Sequence, residues 1–386
     1  MNRRVLILGA GSSGRGHLGQ LAYEAGWDLV FADRNRELVD ALREAGRYTV
    51  RLCTAQAERT VMVEGFRAYP IGDEEALVRE ALGALLALTC LFSHNLHQVA
   101  PLVARIVAAR HAVEVAAPLN VICCENMQHS SSLLRAQVMP LLTPGAAGYA
   151  ETHVGFPDCM ISRVVPLAGA DPLALAAEDY NEWTVDATQF LGPPPDLPGM
   201  ELVANQEARL ARKFFMHNGG HAVCAYWGFH HGHTFIHEAV ADPAVLAHVI
   251  GAMRELAHVV ARHYGFSYGE ALEYGLELGP RGAIAVLQDR ILRVVRDPLR
   301  KLARDERLVA PAALAVEDGS PHEELAGAIA AALRYFHAED PQAVEMRGRL
   351  RAEGAGHAIP SFLGLPADHP LVTAVLARYE AWEAPR

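Results

Sequence analysis

No stretch of this chain is dominated by lysine or arginine, and the formal net charge is -11 across 386 residues. A nucleic acid or an anionic membrane calls for a positive surface, so the composition argues against both as partners. A small anionic substrate stays open, because two or three local cations are enough to hold one. Cysteine is sparse: Cys53, Cys90, Cys123, Cys124, Cys159 and Cys224 show no C-x-x-C spacing of the metal-binding kind. Free, buried thiols in a reducing compartment are the expectation. Long apolar runs are missing too, since the longest, ALGALLALTCLF at 81–92, falls well short of the roughly 20 residues of a membrane helix. The opening MNRRVLILGAG pairs basic residues with an apolar run. That run is about half of a signal core and ends in glycines, so a secretory leader is not expected. A cytoplasmic location follows as an expectation. With 51% hydrophobic and 20% charged residues, disorder is excluded as the main theme, and the length predicts two domains.

What is present begins at the fourth residue. Arg4 to Leu8 reads as a short strand running straight into Gly9-Ala10-Gly11-Ser12-Ser13-Gly14. A helical stretch with Leu18, Leu21 and Ala22 on one face follows, and then a second strand, DLVFAD, at 28–33. A strand, a glycine turn, a helix and a strand within about 30 residues form the context that a dinucleotide fingerprint requires. Gly9 permits the tight turn, Gly11 lets the backbone approach a pyrophosphate, and Gly14 lets helix and strand pack closely. Ser12 and Ser13 stand at the phosphate end of that turn. Asp33 closes the second strand, where a carboxylate accepts both adenosine ribose hydroxyls and repels a 2′-phosphate. NAD is therefore expected over NADP, although Arg34 beside it offers the alternative of holding that phosphate. Further β-type runs at 48–53, 60–66, 86–92 and 119–126 alternate with helical patterns such as 97–111, which suits an open, mostly parallel sheet. Asn126 ends the last of these runs, a position suited to a substrate or cofactor contact; a helix cap before QHSSSLL is the plainer reading.

The proline-rich segment 192–199 marks the expected boundary, with a Rossmann-type α/β domain over 1–192 and a mainly α-helical domain over 193–386. In the second half the pattern predicts helices at 205–230, 243–264, 286–301, 323–337, 341–353 and 369–382, with no lasting strand alternation. Lys213, Asn218 and His221 stand at offsets of zero, five and eight. At about 100° per residue they fall at roughly 0°, 140° and 80° around an α-helix, so all three border one pocket. Oxidation of an alcohol by hydride transfer needs a base for the hydroxyl proton and donors for the developing oxyanion. Lys213 suits the first role once burial lowers its pKa, Asn218 the second, and His221 the orientation of a neighbouring hydroxyl. Taken singly, Lys213 also reads as an ordinary solvated helix lysine, and the other two as a polar helix edge.

The K-x4-N-x2-H pattern of these three residues resembles the signature of the polyol-specific long-chain dehydrogenases, and most of all the mannitol-1-phosphate 5-dehydrogenases. The likeness extends through GAGSSGRGHLG, PLNVICCENM, HVGFPDCMISRVVP, NEWTVDATQFLG, KFFMHNGGHAVCAYWG, DPLRKL and DGSPHEELAGAIAAAL. It implies an NAD-dependent, metal-free oxidoreductase with Lys213 as base, Asn126 and Asn218 on the reacting oxygen, and His221 positioning substrate. Arg293 and Lys301 match positions that contact the far end of the polyol. With Arg300 they are candidates for gripping a phosphate, the plainer reading of VVRDPLRKL being a basic helix end. A monomer is expected from the same resemblance.

Several positions depart from that pattern. Ser162 replaces a usual aspartate, Phe92-Ser93 replaces Gly-Pro, and Ile284-Ala285 replaces Asn-Pro. They leave the reaction intact and open the choice of substrate, with a free polyol or sugar acid as the alternative. An idle NAD-binding sensor is a reading of another class, opposed by the retained catalytic positions. His217, His221, His230, His231, His233 and His237 crowd one region. His233 and His237, four apart, would permit zinc on a helix face, yet apart from Glu238 no cysteine or carboxylate stands at a convincing spacing, and no metal is expected.

Overall fold

The computed structural model describes residues 3–91, 93–125, 127–166 and 169–382. The chain forms two compact units, Met1–Leu210 and Ala211–Arg386. In chain order the strands of the first unit are β1 (Arg4–Leu8), β2 (Asp28–Asp33), β3 (Arg47–Cys53), β4 (Glu58–Glu64), β5 (Arg67–Pro70) and β6 (Ala84–Thr89). They continue as β7 (Leu119–Cys123), β8 (Val154–Gly155), β9 (Cys159–Ser162), β10 (Ala174–Glu178), β11 (Glu182–Asp186) and β12 (Met200–Val203).

The main sheet has the order β5-β2-β1-β6-β7-β8, and every pairing in it is parallel. Its first and fourth members in space, β5 and β6, flank the β2-β1 pair, so the chain reverses direction of travel beside β1. That is the doubly wound arrangement, whose ligands lie at the carboxyl ends of the strands next to the reversal. Val5 to Leu8 are wholly buried. Val5 and Ile7 join one apolar cluster, Leu6 and Leu8 another. A strand covered on both faces reads as an unbroken apolar run, which is what VLIL is.

Two of the expected strands belong elsewhere. β3 and β4 pair with each other in antiparallel fashion and with β10, forming a separate three-stranded sheet. Tyr48, Val50 and Leu52 point inward while Arg47 and Arg51 are exposed, an alternation foreign to the centre of a parallel sheet. The proline-rich segment also lies inside the first unit, because β12 beyond it pairs in parallel with β11. Strand structure thus continues past residue 193, where only helices were expected.

The second unit is helical. Its longest helix, Pro243–Tyr264, starts at the Asp242 cap and stops at Gly265, whose φ of 75° suits glycine. Among the described residues it alone is long and apolar enough to cross a bilayer by length and composition. Here Val249, Ala252, Met253, Leu256 and Val260 of this helix lie in the unit's core. Buried Glu255 on the same helix accepts hydrogen bonds from the backbone of Glu324 and Leu325 at 2.8 Å, capping the next core helix, Glu323–Arg334. The single helix expected over 286–301 is instead three short pieces. Gln288 and Asp297 take left-handed conformations, with φ of 45° and 57°, and Pro298 starts the last turn, Pro298–Lys301.

Candidate functional site

In the first unit the fingerprint glycines each meet a different demand. Gly9 has φ of 108°, and a Cβ there would lie 2.3 Å from the Cys90 carbonyl oxygen. A Cβ on Gly14 would lie 1.9 Å from the Gly9 oxygen, so helix and turn touch backbone to backbone. Around Gly11 a Cβ would meet nothing within 4 Å. The space that its missing side chain leaves is open to a ligand, as a pyrophosphate requires. Ser12 is half-buried, Ser13 and Arg34 exposed, and Asp33 half-buried at the end of β2. Asp33 Oδ2 accepts the Ala10 amide at 2.7 Å and Oδ1 the Asn35 amide at 2.8 Å. Each oxygen keeps a lone pair for a ribose hydroxyl. The donors and the cradle therefore fit a dinucleotide.

The helix after the turn is not regular. Gly14–Gly19 is wound as a π-helix, and it buries Arg15 and His17. The Arg15 guanidinium donates to the Ala10 and Pro172 carbonyls at 2.6 Å. His17 sits 2.7 Å from Asn181 Oδ1. Burial and the neighbouring Arg163 push its pKa down to about 3, so it stays neutral.

At the carboxyl end of β7 a residue missed by sequence reasoning comes forward. Glu125 is buried, receives the Thr89 hydroxyl at 2.7 Å and the Leu91 amide at 2.9 Å, and so ties the ends of β6 and β7 together. Burial raises its pKa against the pull of those donors. Two sequence-predicted positions, Asn126 and Phe92, lie outside the described residues. Ser162 is buried at the end of β9, opposite Glu182.

In the second unit Lys213, Asn218 and His221 do come together, by a different geometry from the one expected. Lys213–Gly219 is a second π-helix, set between α-helices Gln206–Arg212 and Gly220–His230. In such a helix i→i+5 hydrogen bonds bring residues five apart over one another. Lys213 and Asn218 therefore share a face, where an α-helix would splay them by about 140°. Both are buried. The glycine pair that follows allows close packing: a Cβ on Gly219 would lie 2.9 Å from the Arg307 oxygen, and one on Gly220 1.6 Å from Met253 Cε. His217 lies with its ring centre 6.0 Å from that of His221. Burial and then the charges of Arg281, Lys213 and His221 hold its pKa well below the usual imidazole value.

Asp289 completes this group. Its Oδ2 lies 3.2 Å from His221 Nε2. It also receives Arg293 through Nε at 2.7 Å and Nη2 at 2.8 Å. Burial acts to raise its pKa, but the His221 hydrogen bond and the Arg293 charge prevail and hold it below the ordinary carboxylate range. The sequence signal was an i,i+4 Asp–Arg spacing, which sequence reasoning passed over.

The three cations expected to act as one cluster divide. Arg293 belongs with Asp289 and His221, whereas Arg300 pairs with Glu306 at 3.1 Å. Lys301 is buried, donates to the Arg296 carbonyl, and has its pKa lowered to about 7 by burial and by Arg300 and Arg307. Arg307, not singled out from the sequence, pairs with Glu306 at 2.9 Å. Nor do His233 and His237 share a helix face, because His233 precedes the helix Ile236–Ala241 and instead meets Asp242. All six cysteines are free, and five are buried.

Residues 3–199 match the mannitol dehydrogenase Rossmann domain, and residues 207–354 the mannitol dehydrogenase C-terminal domain. Among solved structures the chain is similar to mannitol 2-dehydrogenase of Pseudomonas fluorescens in a ternary complex with NAD and D-mannitol. The identity is 17%, the TM-score 0.76, and the match covers 99% of this chain and 92% of that one. It is also similar to a substrate-free D-sorbitol dehydrogenase, at 16% identity and TM-score 0.82, over 98% of this chain and 93% of the other. At these identities the two likenesses speak to the fold.

Proposed function

The chain belongs to the mannitol dehydrogenase family, and from that premise we propose that it is an NAD-dependent polyol dehydrogenase of the cytoplasm that interconverts a polyol phosphate and a ketose phosphate. The observation that carries the reading is the π-helical face of Lys213 and Asn218, with His221 one turn on and held by Asp289. When bound at the Gly9–Gly14 turn, NAD supplies the hydride acceptor. Lys213 Nζ takes the hydroxyl proton as the alcohol carbon is oxidised, and the Asn218 amide donates to the developing alkoxide together with Asn126. The Asp289 carboxylate keeps a proton on His221 Nε2, which leaves Nδ1 to accept a hydrogen bond from a substrate hydroxyl. Dinucleotide choice rests on Asp33, whose charge opposes a 2′-phosphate.

The phosphate reading draws on Arg300, Lys301 and Arg307, three cations around the single carboxylate of Glu306. A dianion beside them would draw Lys301 back to its charged form, since its pKa of about 7 leaves it half protonated at neutrality. A free hexitol is the second reading, favoured by one observation: both oxygens of Asp289 already engage the Arg293 guanidinium. The test is NADH-linked reduction of fructose 6-phosphate beside fructose at matched concentrations with EDTA present. Preference for the ester supports the phosphate reading, preference for fructose moves the assignment to free polyols, and inactivity on both sinks the two together.

A further inference from the structure

The histidine-rich turn takes no part in that chemistry, and its geometry has a use of its own. We propose that His231, His233 and Asp242 form a binding site for one zinc-type divalent cation. His231 Nδ1 and His233 Nε2 lie 3.0 and 2.9 Å from the same oxygen, Asp242 Oδ2. The three donor atoms all fall within 4.8 Å of one another, and among the described residues no other group of three histidine, cysteine or acidic donors does so. The two rings are nearly parallel, 19° apart. Other imidazoles near carboxylates, such as His248 with Glu324 and His263 with Asp318, come singly.

The local chain holds these donors in place. Helix Gly220–His230 ends at Gly232, whose φ of 80° turns the backbone. The His231 and His233 amides then donate back to the Trp227 and Gly228 carbonyls at 3.0 Å. Asp242 is the cap of Pro243–Tyr264, its Oδ1 receiving the Ala244 amide at 2.9 Å while Oδ2 faces the imidazoles. That second hydrogen bond orients the carboxylate as outer partners orient metal ligands. Zinc holds nitrogen and oxygen donors at about 2.0–2.2 Å, so tetrahedral donors stand about 3.4 Å apart, and the pairs here need to open by only about half an ångström. Two imidazoles with one carboxylate suit zinc or nickel over magnesium or calcium, and the partly exposed turn leaves the fourth position to water. Between these ligands, Thr234 and Ile236 pair with Ile291 and Asp289 through two backbone hydrogen bonds of 2.9 Å. A bound cation would therefore brace the segment that presents Asp289, without entering the reaction.

The experiment is equilibrium dialysis of the chelator-stripped full chain against zinc chloride, with bound metal counted by mass spectrometry, for the wild type and for H231Q/H233Q. The wild type is expected to retain about one equivalent, and the variant to bind at least about tenfold more weakly. Equal uptake by the two proteins, or none by the wild type, overturns the proposal. X-ray absorption of the zinc-loaded wild type decides the matter should the variant misfold. A shell of two imidazoles and oxygens supports the site, whereas a shell containing sulfur or a single imidazole overturns it.

Discussion

Replacing Asp289 by asparagine keeps the shape of the side chain and removes its charge, which isolates what that charge does. Two arms meet it. The Arg293 arm is a bidentate pair whose arginine side chain is 56% exposed, so water screens it to about 0.5–1 kcal/mol. The His221 arm is covered on both sides, at 15% and 12% exposure, and a charge-assisted bond there contributes about 1.5–3 kcal/mol. Asparagine retains one acceptor oxygen, so roughly half of that sum is lost, about 1–2 kcal/mol. For a unit of this size the loss lowers Tm by about 2–6 °C. The kinetic effect is larger in kind. Without the carboxylate nothing holds the proton on Nε2, and His221 presents the wrong nitrogen to a hydroxyl for part of the time. A fall of about 10–100-fold in kcat/KM for the polyol is expected, with NADH affinity unchanged. The acid limb of stability supplies an independent reading. The Asp289 pKa lies below its unfolded value of about 3.9. Its contribution is thus fully present above that value and disappears as pH falls through the lowered folded pKa, and D289N should flatten that limb. Stopped-flow NADH oxidation and calorimetry from pH 2 to 7 measure both effects. Turnover within twofold of wild type, together with an unchanged acid limb, would refute the reasoning.

Three further substitutions bear on separate parts of the reading. Lys213→Ala is expected to cut kcat by about 10²–10⁴ with NADH titrating normally by fluorescence, and near wild-type turnover would remove Lys213 as the base. Gly11→Ala should keep the Tm and weaken NADH binding, because its Cβ meets open space, whereas Gly14→Ala should unfold the turn against the Gly9 oxygen. Equal behaviour of the two by thermal shift and NADH titration would contradict the cradle. Lys301→Met should raise KM for fructose 6-phosphate far more than for fructose. It should also remove a rise in stability with pH: the folded pKa of about 7 lies below the unfolded 10.5, so the unfolded chain binds the extra proton between those values. Urea titrations at pH 7 and pH 10 on both proteins check the second effect.

How much of this was legible beforehand depended on whether the determining contacts were local. The β1 run, the glycine turn and Asp33 lie within one supersecondary unit, and each residue type answers a demand of its immediate neighbours. β3 and β4 were legible as strands and not as a separate sheet, since alternation marks a half-buried strand but does not name its partner, here the distant β10. Lys213, Asn218 and His221 were found through their spacing, yet α-helical angles misplaced Asn218, because a π-helix leaves no mark in periodicity read over seven residues. The link from His221 to Asp289 joins separate segments and emerges only once the helices pack. The piece 286–301 looked helical by composition, while its left-handed Gln288 and Asp297 depend on tertiary support that propensity does not record.

Both unusual helices, Gly14–Gly19 at the fingerprint and Lys213–Gly219 beneath the candidate base, have an implication for register. A π turn is an α-helix carrying one surplus residue, held in place by its surroundings. Deleting a single residue from 213–219 would let the segment relax to a regular α-helix, and everything downstream would turn by about 100° relative to Lys213. His221 would swing off its carboxylate and the glycine pair would rotate away from Met253. A deletion, usually the most disruptive of small changes in a helix, is here the one that local geometry favours, and the chain keeps its reacting face only by carrying the extra residue.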